Sequence, residues 1–255
     1  MLIDSHCHIF KSEYENPDEV IRHSLENGVN KIIINGYNVI SSKEAVYYAK
    51  KYKNVYASIG IGPEEVNNIT DEDIIEIKKL VKEDKVVAIG EIGLDYYWTK
   101  ENKDKQIYVF KKMLKLAKEN NLPVIVHSRD SVKDVYDLLK EYKVTGIMHC
   151  FSGSVESARE FIKLGFLIGI GGVVTFKNSK NIKEVVKDID ISDISLETDS
   201  PYLSPEPLRG KKNIPNNVFY VAEKIAQIKE QDIHEVVTKT SNAVCSKFDL
   251  KWYLW

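Results

Sequence analysis

With 255 residues and 43% hydrophobic content, the chain is long enough to bury a sizeable core, and its length suits a single barrel domain, 1–255, better than two domains. The 36 Lys and Arg against 38 Asp and Glu leave a net charge of -2, which excludes a global positive field, so any grip on nucleic acid has to be local. Cys7, Cys150 and Cys245 are odd in number, widely spaced and without CxxC patterning, which argues against a disulfide framework and against a thiolate zinc cluster. With no secretory pattern and no membrane-length apolar run, the expectation is a soluble, cytoplasmic protein with no membrane contact and no evident stable protein partner.

Leu2-Ile3-Asp4-Ser5-His6-Cys7-His8 reads as an opening strand that places Asp4, His6 and His8 on one face and Ser5 and Cys7 on the other. Two imidazoles on one face can hold a metal ion, although such a pair is not specific alone. Asn16-Pro17-Asp18-Glu19 starts a helix, with Asn as cap and Pro at the first position. Ile32, Ile33 and Ile34 mark a strand buried on both faces, a helix follows from about Ser42 to Lys51, and Val55 to Gly60 is a third strand. Thr70-Asp71-Glu72-Asp73 opens the next helix. Further strands are expected at Val86–Glu91, Val124–His127, Gly146–Cys150, Phe166–Ile170 and Ile194–Asp199. Between and after them, helices are expected around Ile107–Ala117, Val132–Tyr142, Val155–Leu164, Val218–Ile228 and Asp232–Phe248.

Eight strands alternating with helices predict a parallel α/β fold, a (β/α)8 TIM barrel rather than an open sheet. In that fold the C-terminal strand ends share one face. His6 and His8, Glu91, His127, His149 and Asp199 all fall at expected strand ends, whereas His23 and His234 fall on helices. Any one of these could be an ordinary hydrogen-bonded core group. Four imidazoles and two carboxylates converging together would be costly to desolvate without a cation, and they suit two ions sharing a carboxylate better than one tetrahedral site. Asp4 is expected to support a ligand from behind, and Cys7 and Cys150 to be small core residues. Asp95 and Glu197 are open between loop-organising and ligand-supporting roles. The terminal Trp252-Tyr253-Leu254-Trp255 is expected to pack on the outer helices, with a subunit contact as the alternative.

Five ordered motifs resemble those of the TatD-type metal-dependent hydrolases: Asp4-Ser5-His6-Cys7-His8, Gly90-Glu91-Ile92-Gly93-Leu94-Asp95-Tyr96, Val126-His127-Ser128-Arg129, His149-Cys150-Phe151-Ser152-Gly153 and Glu197-Thr198-Asp199-Ser200-Pro201-Tyr202-Leu203. The resemblance implies an amidohydrolase-like barrel with deoxyribonuclease or other hydrolase activity. It implies one ion on His6, His8 and Asp199, a second on His127 and His149, and Glu91 bridging both. The cations would be zinc, manganese, magnesium or nickel. Related barrels often bridge their metals with a carboxylated lysine, but Lys85 opens its strand rather than ending it, which leaves Glu91 the better bridge. Two ions about 3.5–4 Å apart activate a water for in-line attack on a phosphodiester, and Asp199 is placed to accept its proton. Arg129 is a candidate phosphate grip, with an ion pair to Asp130 or Asp95 as its alternative.

The resemblance departs at two places. The family usually has histidine at Gly62 and glutamate at Ile214. Three functions therefore stay open. One is a nuclease acting on DNA or another phosphodiester, using Arg129, Arg209, Lys211 and Lys212 with Tyr96, Tyr97, Trp98 and Tyr202. The others are a hydrolase of small carbonyl compounds or aminoacyl esters, and a metal-holding barrel that has lost catalysis.

Overall fold

The structure, a computed structural model, describes residues 1–250. The Trp252–Trp255 segment expected to pack on the outer helices lies outside the described residues. Eight strands form one sheet in the order β1-β2-β3-β4-β5-β6-β7-β8, each followed by a helix, which is the topology of a (β/α)8 barrel. The strands are β1 Leu2–Cys7, β2 Val29–Asn35, β3 Val55–Ile59, β4 Val86–Asp95, β5 Val124–Arg129, β6 Gly146–Met148, β7 Phe166–Ile170 and β8 Ile194–Leu196. The helices are α1 Pro17–Glu26, α2 Val39–Lys51, α3 Asp71–Leu80, α4 Lys103–Asn120, α5 Val132–Tyr142, α6 Val155–Lys163, α7 Lys180–Asp188, α8 Val218–Lys229 and α9 Ile233–Lys247. None of the described helices is long and apolar enough to cross a membrane.

The chain divides into two compact units. One holds Met1–Ile33, Cys150–Ile162 and the chain from Leu167 onward; the other holds Ile34–His149 and Lys163–Phe166. In the first, β7 and β8 pair in parallel, and α9 packs on β1 and β8. In the second, β3, β4, β5 and β6 pair in parallel, α2 packs on β3 and α4 on β4. Ile32, Ile33 and Ile34 are fully buried, as an apolar strand covered on both faces requires.

Local signals explain most helix starts. Asn16 caps α1 by accepting from the Glu19 N–H, and Thr70 with Asp73 forms a capping box on α3. The structure corrects four expectations. Helix α2 starts at Val39, earlier than Ser42, because Asn38 and Ser41 form a capping box of their own. Helix α7 has no counterpart in the sequence reading, since its Ser179 cap makes no side-chain bond and it buries only Ile182, Val185 and Val186. Strand β4 does not end at Glu91 but runs on to Asp95. Its pairing shifts between Ile89↔Val124 and Ile92↔Val126, three residue steps facing two, so a β-bulge sits at Gly90 and Glu91 and re-aims the carboxylate. Finally, Cys150 is not a core residue: it is half-buried, with φ 43°.

Candidate metal centre

In the first unit, side-chain alternation along β1 works as the sequence implies. Ser5 Oγ meets Ser195 Oγ at 2.7 Å and donates to Leu196 O, and Cys7 Sγ donates to Ile33 O at 3.4 Å. That leaves His6 and His8 on the other face with their Nε2 atoms 3.1 Å apart. Asp199, three residues beyond β8, brings Oδ1 within 3.4 Å of His8 Nε2 and 3.7 Å of His6 Nε2. Its backbone N–H donates to His6 O at 2.9 Å, and its φ of 55° is a left-handed conformation that aspartate tolerates better than most residues.

Asp4 supports this set through the backbone. Its carboxylate accepts from the Thr198 N–H at 2.9 Å, the Thr198 hydroxyl at 2.6 Å and the His6 N–H at 3.3 Å. Burial pushes the Asp4 carboxyl well above its ordinary pKa, and those three donors oppose that rise. Two further groups that the sequence reading missed or left open organise the same region. Asn213, fully buried, donates to Thr198 O at 3.0 Å and Tyr202 O at 2.8 Å, latching the turn that carries Asp199. Glu197 accepts from the Cys150 N–H at 2.6 Å.

In the second unit, Glu91, His127 and His149 offer ligand atoms that all lie within 4.8 Å of one another. His127 is held between two carboxylates, with Nδ1 3.1 Å from Glu91 Oε1 and Nε2 2.9 Å from Asp95 Oδ2. Burial alone would lower the His127 pKa, but hydrogen bonds to Asp95 and Glu91 outweigh it and raise it to about 10. Burial likewise pushes Asp95 up, yet the bonds from His127 and the Tyr97 N–H hold its carboxyl below the ordinary range.

Asp95 is itself clamped by Gln106, which is 2% exposed. Gln106 Oε1 accepts from the Asp95 N–H, and Nε2 donates to the Asp95 carbonyl, both at 2.8 Å. The arrangement is a carboxylate–histidine pair that fixes the ring while the opposite nitrogen faces Glu91. Asp95→Asn is therefore expected to weaken metal binding at Glu91, His127 and His149 by about 10- to 100-fold, measured by calorimetry.

Both donor sets fit a divalent cation. They consist of imidazole nitrogens and carboxylate oxygens, the ligands of zinc, manganese and nickel. The spacing of the His6 and His8 nitrogens is close to the roughly 3.3 Å expected of two ligands around one tetrahedral zinc. At the second set, His127 lies between the Glu91 and Asp95 carboxylates, whose negative charge a cation would balance.

Lys85 donates to Lys53 O and Val55 O at the start of β4 and does not join the ligands. Arg129, two residues past His127, makes no ion pair with Asp130 or Asp95; its guanidinium lies 3.6 Å from the Tyr97 ring centroid and 5.5 Å from that of Trp98. Arg209 lies over the Phe176 ring at 4.3 Å, and Lys212 donates to Glu13 O. His23 and His234 sit on α1 and α9. A side chain at Gly62 would meet Tyr37 Cβ at 3.3 Å, a tight but not closed position. Glu64 carries a carboxyl whose pKa is raised, by burial first, with His127 opposing.

Residues 3–249 match the family model described as TatD related DNase. The chain is 45% identical to the uncharacterized metal-dependent hydrolase YabD of Bacillus subtilis, covering 94% of this chain and 96% of the relative. Among solved structures, the TatD homologue YJJV from Escherichia coli K12 is 28% identical with a TM-score of 0.90, covering 98% of each chain. An uncharacterized amidohydrolase from Saccharomyces cerevisiae shares the fold, with a TM-score of 0.78, 17% identity and coverage of 97% of this chain and 100% of the other. Motif order, barrel topology and His/Asp/Glu clusters able to hold metal agree with these matches, and the chain belongs to the TatD family of metal-dependent hydrolases.

Proposed function

We infer that the chain is a deoxyribonuclease that hydrolyses phosphodiester bonds with two divalent cations, one held by His6, His8 and Asp199 and the other by Glu91, His127 and His149. The observation that carries the choice of a phosphodiester is Arg129. Its guanidinium is stacked on Tyr97 beside the His127 set and forms no ion pair among the described residues, so its N–H edges remain for an anionic substrate. The family description as a DNase supports the same choice.

When bound, the cations polarise the scissile phosphate and lower the pKa of a water. Asp199 accepts the proton of the attacking water, since it is the carboxylate beside the His6 and His8 nitrogens. Arg129 grips non-bridging phosphate oxygens in its planar fork. Asp95 and Gln106 keep the His127 ring in one orientation through the reaction.

Side-by-side turnover of single-stranded DNA and of a panel of small esters, lactams and aminoacyl esters tests this reading. DNA cleavage is expected, with an affinity that falls as salt rises because phosphate contacts release counterions. Turnover of the small substrates with indifference to DNA would replace it with the carbonyl-hydrolase reading, and bound metal without any turnover with the non-catalytic one.

A further inference from the structure

A cavity of about 390 Å³ opens in the second unit directly beside Asp95, the carboxylate that holds His127. Its volume lies within the range of small-ligand sites. It is lined by Glu64, Asn67, Trp98, Asn102 and Gln106 as well as Asp95. Its two sides differ in chemistry. One is aromatic: Trp98 is 69% exposed, packs edge-on against Tyr97 at 4.9 Å, and lies 5.5 Å from the Arg129 guanidinium. A large indole left open at the edge of a cavity calls for a partner with an apolar flat face.

The other side is polar, and its hydrogen-bonding capacity is only partly used. Asn67 Oδ1 accepts from Asn102 Nδ2 at 3.2 Å, and Asn102 Oδ1 accepts from Gln106 Nε2 at 2.8 Å. That chain runs from the cavity wall to Asp95 and leaves the Asn67 Nδ2 amide as a donor without a partner among the described residues. Glu64 and Asn67 are both exposed at the cavity, which therefore presents a carboxylate acceptor, an amide donor and a stacking surface.

We propose that this cavity takes one unstacked nucleobase of the substrate strand and favours guanine. Guanine alone among the DNA bases carries two adjacent N–H donors, N1–H and the 2-amino group, that a carboxylate accepts in parallel, with a carbonyl O6 next to them for an amide donor. Glu64 and Asn67 supply those two functions, and Trp98 stacks on the ring. A base held there has Arg129 beside it for the adjoining phosphate, two residues along β5 from His127. The proposal rests on the phosphodiesterase reading for its substrate, but base binding is measurable without hydrolysis.

The test is titration of the full-length protein with dGMP, dAMP, dCMP and dTMP by equilibrium dialysis, in wild type, Trp98→Ala and Glu64→Gln, with thermal unfolding to confirm that each variant is folded. The wild type is expected to bind dGMP about 5- to 150-fold more tightly than the other three. Trp98→Ala is expected to weaken all four by about 5- to 150-fold, and Glu64→Gln to remove the guanine preference. Equal wild-type affinities for the four nucleotides, or a guanine preference that survives Glu64→Gln, would overturn the proposal even if the protein cleaves DNA. Guanine-selective binding without DNA cleavage would uphold the cavity and sink the nuclease reading instead.

Discussion

Asp199→Asn is expected to lower kcat on single-stranded DNA by about 10²- to 10⁴-fold, the range over which removing a general base acts. The substitution keeps the backbone but also weakens the carboxylate ligand of the first cation, so metal is supplied in excess. Asparagine, like aspartate, tolerates the left-handed backbone at this position, and the bonds from the Asp199 N–H to His6 O and from the Tyr202 N–H to Asp199 O stay available. What it loses is the negative charge 3.4 Å from His8 Nε2 and the ability to take a proton. Rate and metal content should be measured on the same sample. A variant that keeps its metal and near-normal turnover would remove Asp199 from the chemistry.

Gly93→Ala is expected to destabilise the fold by roughly 3 kcal/mol, a fall in Tm of about 6–12 °C. Gly93 has φ +146°, a conformation L side chains rarely adopt, and a methyl group there would sit 2.0 Å from His127 O. The nearest atom is backbone of β5 paired in register with Gly93, so it cannot rotate away. Gly28→Ala is the matched comparison. It also has positive φ, +101°, but nothing lies within 4 Å of the added carbon, so only the backbone cost of about 1 kcal/mol remains. The clash at Gly93 moves the residue that carries His127, so residual folded protein should also bind metal more weakly.

The sequence exposes the candidate ligands because ionisable residues stand out in otherwise apolar strands. His6, His8, Glu91, His127, His149 and Asp199 interrupt or follow runs such as Val124-Ile125-Val126, and the alternation rule separates His6 and His8 from Cys7 without coordinates. The barrel is legible for the same reason, since eight such runs alternate with amphipathic segments. What the sequence hides is non-local. The bulge at Gly90 and Glu91 depends on the register of β4 against β5, which periodicity does not encode, and it is why Glu91 lies inside a strand rather than at its end.

The pairing of Asp95 with His127 joins residues 32 apart, and the Gln106 clamp on Asp95 joins a helix to a strand. Neither has a spacing signature. Asn213 is hidden likewise, as an ordinary loop amide that becomes a latch only when Thr198 and Tyr202 fold onto it. The departure at Gly62 looks serious in sequence, yet a Cβ there would meet Tyr37 Cβ at 3.3 Å, Tyr37 O at 3.6 Å and Glu91 O at 4.0 Å, and Glu64 two residues on supplies a polar group beside the His127 set. Gly62→His therefore requires Tyr37 to shift by a few tenths of an ångström; thermal unfolding checks that the variant folds, and comparison of its kcat and KM with wild type measures what the missing imidazole contributes.

The most direct measurement is degradation of single-stranded DNA by wild type and Glu91→Ala, side by side, with added magnesium, manganese or zinc. Glu91 stands 3.1 Å from His127 Nδ1, and without it the second ligand set loses its carboxylate. A site built on Glu91 requires metal-stimulated cleavage by the wild type and its collapse in the variant. Equal activity in the two proteins would contradict it.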